Sequence, residues 1–277
     1  MRIVKFDTAD GPRLCLDAAG ELRPLDHRGA GPFEILGGRI ATTVEAGVAG
    51  RLLAPVAPRK IVAIGLNYMD HIREAKMEPP KAPLLFTKFT SSLNGPTDPL
   101  VIDPELTARV DWEVELAVVI ARAMKNVRES DALDYVLGYT VANDVSARDL
   151  QFADGQWVRG KSLDTFCPVG PCVVTPDEIS DPQDLVLRTR VNGELVQDSS
   201  TREMVFGVAE LLAYCSRSFT LEAGDVLLTG TPWGCGEFMS PPRSLQPGDV
   251  METEIPPIGT LTNTVTTVAE LSAAAGR

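Results

Sequence analysis

The chain lacks any long apolar run and any cluster of basic residues. No stretch approaches the roughly 18 apolar residues that a membrane-spanning helix requires, so we expect no membrane association. The formal net charge is −12 and there is no basic run, which argues against a nucleic-acid partner. Residues 1–6 are typical of an opening strand and not of an apolar leader. We therefore predict a cytoplasmic protein with neither a membrane nor a nucleic acid as partner.

Cysteine and histidine are also sparse. The five cysteines are odd in number and none lies in a Cys-x-x-Cys motif, so we expect reduced thiols. A chain of 277 residues with 44% hydrophobic residues can bury a large core without disulfides. Of the two histidines, only His71 lies in a motif, and we assign no role to His27. An acidic chain that binds an anion needs local positive charge, from a metal or from a few Lys and Arg side chains.

Short strand patterns with few helices predict a mixed α+β fold. The predicted strands cover residues 2–6, 13–16, 61–66, 84–88, 112–121, 138–143 and 226–229, with a hairpin turn at Asn192-Gly193 inside residues 185–196. The predicted helices cover residues 42–53, 69–77, 130–137 and 206–216, with Ser130 and Asp131 as candidate caps. Pro55 and Pro58 mark a boundary. We expect a small N-terminal domain over residues 1–55 and a catalytic domain over residues 56–277.

Two glutamates lie in a strand that becomes apolar. Residues 112–121 alternate and then turn apolar throughout, as in a strand that enters a core. Glu113 and Glu115 point to one face, and Trp112 and Val114 to the other. Adjacent buried carboxylates repel unless a cation lies between them or one of them is protonated, and an all-oxygen ligand set suits Mg²⁺ or Mn²⁺. The other interpretation is an edge strand with a solvated acidic face.

A third carboxylate follows the strand predicted at residues 138–143. Asp144 opens a segment in which Arg148 and Gln151 are spaced as neighbours on a helix. One helical turn would then carry a metal ligand and two substrate contacts. An ordinary capped helix explains the same spacing, and both interpretations stay open.

His71 and Glu74 lie three residues apart in the helix predicted at residues 69–77 and would share one face. A carboxylate beside an imidazole fixes its tautomer and raises its basicity, which is how a water-activating base is built. An exposed surface pair is the alternative interpretation.

Two loops add candidates for binding an anion. Lys161 lies between Gly160 and Ser162 and is either a solvated lysine or the positive group that holds a carboxylate or oxyanion. Residues 230–236 are rich in glycine, which lets backbone N–H groups approach an anion closely. This segment is not a phosphate loop, because no Gly-Lys-Ser/Thr follows it, and a plain turn is the alternative.

Six segments occur in a characteristic order along the chain. They are Gly-x-Asn-Tyr-x-x-His-x-x-Glu at 65–74, Ser91-Ser92 with Gly95-Pro96, Asp-Trp-Glu-Val-Glu-Leu-Ala at 111–117, Asn-Asp-Val-Ser-Ala-Arg-Asp at 143–149, Gly-Lys-Ser-x-Asp-Thr-Phe at 160–166 and Gly-Thr-Pro at 230–232. Together they resemble the fumarylacetoacetate hydrolase family, in its branch of smaller 2-oxo acid enzymes, over about residues 58–268. No single segment would be specific.

The resemblance implies a mixed β-roll core with a small N-terminal domain, usually in a homodimer. It implies Mg²⁺ or Mn²⁺ as cofactor, with the metal ligands on Glu113, Glu115 and Asp144. It also implies a catalytic set and a group of substrate contacts. The catalytic set falls on His71, Glu74 and Lys161, and the contacts fall on Tyr68, Arg148, Gln151, Gly230 and Thr231.

The resemblance further implies a hydrolase that cleaves a carbon–carbon bond of a small acylpyruvate or 2,4-dioxo acid. The divalent cation would stabilise an enolate, and His71, oriented by Glu74, would activate water. An oxaloacetate decarboxylase, a 2-oxo acid tautomerase and a hydratase or dehydratase use the same chemistry and stay open. A 2-oxo acid binding protein without turnover is the alternative from another class. The chain departs from the family loop Gly-Thr-Pro-x-Gly-Val-Gly at Trp233 and Cys235, and the first 55 residues match no motif.

Overall fold

The structure is a computed structural model that describes residues 1–9, 11–18, 21–24 and 50–275, and strands dominate it. The strands are β1 Arg2–Thr8, β2 Gly11–Ala18, β3 Glu21–Pro24, β4 Arg51–Leu53, β5 Ile61–Gly65, β6 Leu84–Lys88, β7 Leu93–Asn94, β8 Leu100–Ile102, β9 Val110–Asp111, β10 Val114–Ile120, β11 Val136–Asn143, β12 Ser146–Ala147, β13 Cys167–Val174, β14 Val186–Val191, β15 Glu194–Ser200, β16 Val226–Leu228, β17 Val250–Ile255 and β18 Gly259–Thr267. The α-helices are α1 Met69–Glu74, α2 Arg148–Asp154, α3 Val158–Lys161, α4 Val208–Ser218 and α5 Val268–Ala275. Short 3₁₀ turns cover Thr90–Ser92, Glu129–Tyr135, Pro176–Glu178, Thr201–Glu203 and Gly236–Phe238. The predicted α+β class is confirmed.

The described strands form one large sheet and two smaller ones. The large sheet runs β3-β2-β1-β13-β11-β10-β16-β5-β6, with β4 added to β1 and β7 added to β13. A second sheet runs β15-β14-β17-β18-β8, and β12 pairs with β9. Because β1 pairs with β13, the described N-terminal strands continue the large sheet. The boundary at residue 55 stays a prediction.

Strand β10 lies in the middle of the large sheet, between β11 and β16, and every one of its residues is buried. Leu116 and Val118 pack into the main core on one face, whereas Ala117 and Val119 pack into a second core on the other. This alternation is the period of two that a strand imposes on its side chains. Glu115 points to the same face of the strand as Ala117, because the two residues are two positions apart. The strand therefore directs the Glu115 carboxylate into the interior.

The structure corrects several local predictions. The helix predicted at 42–53 is wrong at Arg51–Leu53, which forms β4 in register with Lys5, Phe6 and Asp7; the rest of that segment lies outside the described residues. Helix α1 ends at Glu74, and Lys76 then adopts a left-handed φ of 55°, which stops the helix.

Two further predictions change. The segment predicted as a helix at 130–137 is the 3₁₀ turn Glu129–Tyr135, which no side chain caps. Asp131 instead accepts hydrogen bonds from the Arg128 guanidinium. Asp144 does not open a helix, because Ser146 and Ala147 pair with β9 before α2 begins at Arg148. No helix among the described residues is long and apolar enough to span a membrane.

Candidate functional site

Three buried carboxylates meet where β10 and β11 lie side by side. Glu113 immediately precedes β10, Glu115 lies within it, and Asp144 immediately follows β11. The antiparallel register brings them together, since the Asp144 backbone N–H donates to the Glu113 carbonyl oxygen at 2.9 Å. One carboxylate oxygen from each lies within 4.8 Å of the other two, and all three side chains are buried. The sequence-predicted set is therefore together in space.

Three cationic side chains surround these carboxylates. Lys161 Nζ donates to Glu113 Oε2 at 2.7 Å and to Asp144 Oδ2 at 2.8 Å. Arg148 Nη1 lies 2.7 Å from Glu113 Oε1. Lys88, at the end of β6, lies with its Nζ 2.6 Å from Asp144 Oδ1 and is itself fully buried. Burying charges is costly unless they are paired, and these cations pair with Glu113 and Asp144.

The two glutamates sit in opposite electrostatic environments. Burial opposes ionisation of Glu113, but Lys161 and Arg148 outweigh it and hold its pKa at about 2. Burial, and then the charges of Asp144 and Glu113, raise the pKa of Glu115 well above its usual range. A cation among the three carboxylates would relieve that repulsion.

The donor set fits a hard divalent cation. Glu113, Glu115 and Asp144 offer only carboxylate oxygens, which Mg²⁺ and Mn²⁺ prefer. Glu115 Oε2 accepts a hydrogen bond from the Gly230 backbone N–H at 2.7 Å, which fixes the orientation of that carboxylate. Ligand carboxylates in metal sites are commonly held by such outer partners.

His71 and Glu74 form the predicted pair on α1. The distance from His71 Nδ1 to Glu74 Oε2 is 3.1 Å. Glu74 Oε1 accepts from the Gly234 backbone N–H at 3.0 Å, so the carboxylate is tied to the glycine-rich loop. The His71 ring packs edge-on against Phe238 with centroids 5.2 Å apart. His71 is buried and Glu74 is half-buried at the site, so the alternative of an exposed surface pair is wrong.

Arg148 and Gln151 lie on the first turn of α2, as their spacing predicted. Arg148 Nη1 donates to Gln151 Oε1 at 3.0 Å, and its Nε donates to Asp111 Oδ2 at 2.8 Å. Asp111 also accepts from the backbone N–H groups of Gly236 and Glu237. This buried aspartate therefore joins the helix that carries Arg148 to the glycine-rich loop.

The remaining predicted contacts divide between the site and the core. Gly230 binds Glu115 through its N–H, and Thr231 Oγ1 accepts from Gln197 Nε2 at 3.1 Å. The Tyr68 side chain is fully buried in the main core, and its hydroxyl has no hydrogen-bond partner among the described residues. Trp233 is 45% exposed, and its indole donates to the Asp198 carbonyl oxygen.

A cavity of about 280 Å³ opens onto this centre. Its polar lining consists of His71, Glu113, Arg148, Gln151, Lys161 and Thr231. Its apolar lining includes Ile64, Leu66, Met77, Phe86, Phe152, Trp157 and Phe238. A concave site with apolar walls and a few converging polar groups is typical of small-molecule binding.

Sequence reasoning missed three buried residues that organise the site, namely Lys88, Asp111 and Gln197. Asp111 belongs to a segment that the sequence did mark, but its contact with Arg148 spans 37 residues. Lys88 ends a correctly predicted strand, and a lysine at a strand end is ordinarily solvated. For Lys88 and Asp111 the only signal was a charge in a segment otherwise expected to be buried, and Gln197, which is neutral, had no such signal.

Comparison with known proteins defines the class. Residues 60–266 match the family model described as fumarylacetoacetate (FAA) hydrolase C-terminal. The chain belongs to that family and is an enzyme of it. It is 54% identical over 217 residues to "Oxaloacetate tautomerase fahd2, mitochondrial" of Xenopus laevis, a match that covers 77% of this chain and 68% of the relative.

Solved structures agree with this assignment. A fumarylacetoacetate hydrolase from psychrophilic Exiguobacterium antarcticum is 40% identical, with a TM-score of 0.86 over 96% of this chain and 99% of that one. A 5-carboxymethyl-2-hydroxymuconate delta-isomerase from Mycobacterium smegmatis is 37% identical, with a TM-score of 0.82 over 96% of this chain and 100% of that one. The fold predicted from the resemblance is confirmed.

Proposed function

We propose that the chain interconverts the keto and enol forms of a small anionic 2-oxo acid of the oxaloacetate type, with Mg²⁺ or Mn²⁺ as cofactor. The observation that carries the proposal is that His71, Glu113 and Lys161 line one cavity. Glu74 lies against His71, and the carboxylates of Glu115 and Asp144 lie beside that of Glu113. The relative of about half-identical sequence that is named an oxaloacetate tautomerase supports this reaction over the others.

Glu113, Glu115 and Asp144 would hold the cation, which when bound supplies positive charge that favours the enol oxygen of the substrate. Arg148 and Lys161 bind the anionic substrate, because they are the cations that line the cavity. With the carboxylates engaged by a cation, the Lys161 ammonium, which here donates to Glu113, would be free to donate to the substrate.

His71 moves the proton. With Nδ1 held by Glu74, its other ring nitrogen accepts the proton from C3 of the keto acid. The C3–H bond breaks, the C2 oxygen takes up a proton from solvent, and His71 releases the proton it has taken to solvent, so that atoms and charge balance. In the reverse direction His71 returns the proton to C3. A positioned general base of this kind contributes about 10²–10⁴-fold.

The test is proton NMR of oxaloacetate with the purified protein and Mg²⁺ or Mn²⁺. We expect faster keto–enol exchange than in buffer, and a loss of about 10²–10⁴-fold in His71→Ala. Glu74→Gln should lose part of the rate. Glu78→Gln, at an exposed position four residues further along the chain, is the matched control and should keep it. Exchange at the buffer rate with the metal bound would contradict the proposal.

Carbon–carbon bond hydrolysis of an acylpyruvate is the second candidate. The His71–Glu74 pair could activate water, and the apolar walls formed by Phe86, Phe152 and Phe238 suit an acyl substituent. The same NMR experiment separates the reactions, because cleavage, loss of CO₂ and keto–enol exchange give different products. Binding of oxalate with no change in any 2-oxo acid would instead favour a binding protein.

We also propose a homodimer in a reducing, cytoplasm-like compartment. The family resemblance supports the dimer, and light scattering of the purified protein tests it. All five cysteines are free buried thiols, which supports the compartment. The Xenopus laevis relative is named mitochondrial, and that name gives the location of the relative, not of this chain. Fluorescent fusion of the full chain in its native cell distinguishes the two locations.

A further inference from the structure

A second cluster of metal-ligating side chains lies beside the three carboxylates. A ring nitrogen of His71, a carboxylate oxygen of Glu74 and Cys235 Sγ lie within 4.8 Å of one another. Cys235 is fully buried, and the His71 and Glu74 side chains are only 8% and 16% exposed. Cys235 is also one of the positions where this chain departs from the family loop, which usually has valine there.

The ligand chemistry differs from that of the carboxylate centre. Imidazole, thiolate and carboxylate together are the donors that Zn²⁺ prefers, whereas Mg²⁺ avoids sulfur. Zinc bonds of about 2.0–2.3 Å place the ligand atoms of a tetrahedral site roughly 3.5 Å apart. His71 Nδ1 and Glu74 Oε2 are already 3.1 Å apart, and Cys235 Sγ lies within 4.8 Å of a ligand atom of each residue. Three protein ligands also leave one position of a tetrahedral ion free, as in zinc sites that bind water or substrate.

The three side chains can reach that spacing. Among the described residues, Cys235 Sγ has only long contacts of 3.9 Å, to the Pro232 carbonyl oxygen and to Gln197 Nε2, so no strong hydrogen bond from this part of the chain holds it. Glu74 is already drawn to the same loop by the Gly234 N–H. His71 lines the cavity, which gives an ion a route to the cluster.

We propose that His71, Glu74 and Cys235 form a second cation site that selects thiophilic divalent ions such as Zn²⁺ and Cd²⁺, and that occupancy of this site stops catalysis. On binding, the Cys235 S–H bond breaks, a metal–sulfur bond forms and the proton leaves to solvent. The ion also takes the place of the His71–Glu74 hydrogen bond. The binding statement stands by itself, whereas the inhibition rests on the proposed function.

Binding is tested with Cd²⁺ added to the full chain in saturating Mg²⁺, which keeps the carboxylate centre occupied. We expect the ultraviolet charge-transfer absorption of a cadmium–thiolate bond, saturating at one equivalent. Cys235→Val should abolish this absorption. Cys215→Ala, which removes a buried thiol in α4, should retain it. Absence of the band in the wild type, or its full retention in Cys235→Val, would overturn the site.

Inhibition is tested by the ratio of keto–enol exchange rates with and without Zn²⁺ in saturating Mg²⁺. At saturation the wild type should slow by about 10²-fold or more, because the general base is lost. The ratio of exchange rates for Cys235→Val should stay near one. If Zn²⁺ slows the wild type and Cys235→Val equally, the proposed inhibition through this site is wrong. If the cadmium band appears but no exchange occurs even without Zn²⁺, the site stands and only the proposed function fails.

Discussion

Lys88 Nζ lies 2.6 Å from Asp144 Oδ1, where neither side chain reaches solvent. The same ammonium donates to the Val145 carbonyl oxygen at 3.2 Å and to the Lys161 carbonyl oxygen. All three donor positions of the lysine are therefore used within the protein. The consequence is that one oxygen of Asp144 is fixed, and the other is left to face Lys161 or a cation.

Lys88→Met should therefore destabilise the metal-free protein by about 3–5 kcal/mol, because it leaves Asp144 buried without this partner. It should also weaken Mn²⁺ binding about 10–100-fold, since an outer partner no longer orients the carboxylate. Urea unfolding measures the first effect and isothermal titration calorimetry the second. Lys125→Met, at an exposed lysine, is the control. Tighter Mn²⁺ binding would mean that charge repulsion by Lys88 exceeds its orienting effect.

Gly230 and Gly248 form a matched pair for testing the glycine-rich loop. Both have left-handed φ values, +97° and +92°, so alanine at either costs about 1–2 kcal/mol in backbone strain. A Cβ on Gly230 would lie 3.0 Å from Asn67 Cβ and 3.2 Å from the Ile64 carbonyl oxygen, whereas one on Gly248 meets nothing within 4 Å.

Because the Gly230 N–H also holds Glu115, Gly230→Ala should weaken Mn²⁺ binding as well as lower the melting temperature. Gly248→Ala should lower only the melting temperature. Calorimetric Mn²⁺ titration beside a thermal melt of each variant measures both. Equal Mn²⁺ affinity in the two variants would show that the loop does not position the carboxylate.

Removing the metal should lower the free energy of unfolding without unfolding the protein. Lys161, Lys88 and Arg148 already pair with the carboxylates, so EDTA-treated protein should keep a cooperative melt. Mn²⁺ at 100 times its dissociation constant should add about 2.7 kcal/mol of stability.

Glu115→Gln should lose most of that gain in stability, and Glu105→Gln, at an exposed position, should keep it. Thermal melts with EDTA and with Mn²⁺ measure the difference. Full stabilisation of Glu115→Gln by Mn²⁺ would remove Glu115 from the ligand set.

The stability contributed by Asp149 should depend on pH. Burial opposes its charge, but hydrogen bonds from Thr107 Oγ1 and the Ala108 N–H outweigh burial and lower its pKa. A lowered pKa gives stability that is complete above the unfolded value of about 3.9 and is lost as the pH falls through the folded value.

Asp149→Asn should therefore cost about 1.5–3 kcal/mol at pH 7, and this difference should shrink below about pH 4. Urea unfolding of both proteins across that range measures it, with the exposed Asp134→Asn as control. A difference that stays constant down to pH 3 would show that the charge of Asp149 contributes nothing.

Local signals were sufficient for much of the fold and for the candidate ligands. The hairpin at Asn192-Gly193 is confirmed, with left-handed φ values of 54° and 81° at the two turn residues. Strand β6 has the predicted bounds Leu84–Lys88. The carboxylates and the His71–Glu74 pair could be identified because each belongs to a motif of consecutive residues, whereas the register of β10 against β11 brings Asp144 to the two glutamates.

The rest depends on partners that are distant in sequence. Strand β4 forms because β1, more than 40 residues earlier, offers it a free edge. Lys88 is buried because Asp144 lies 56 residues further along and compensates its charge. The link between Asp111 and Gly236 spans 125 residues. Propensity and periodicity describe a segment by itself and contain no information about such pairings.

The position of β16 between β10 and β5 sets the order in which the centre can be completed during translation. The ribosome releases Glu115 more than a hundred residues before Gly230, whose N–H holds that carboxylate at 2.7 Å. Until β16 emerges, β10 has no strand on the edge that β16 later covers, and Glu115 has no N–H from Gly230 to hold it. Domains fold as they are synthesised. The carboxylate centre of this enzyme can therefore form completely only after the segment with β16 and Gly230 has been synthesised.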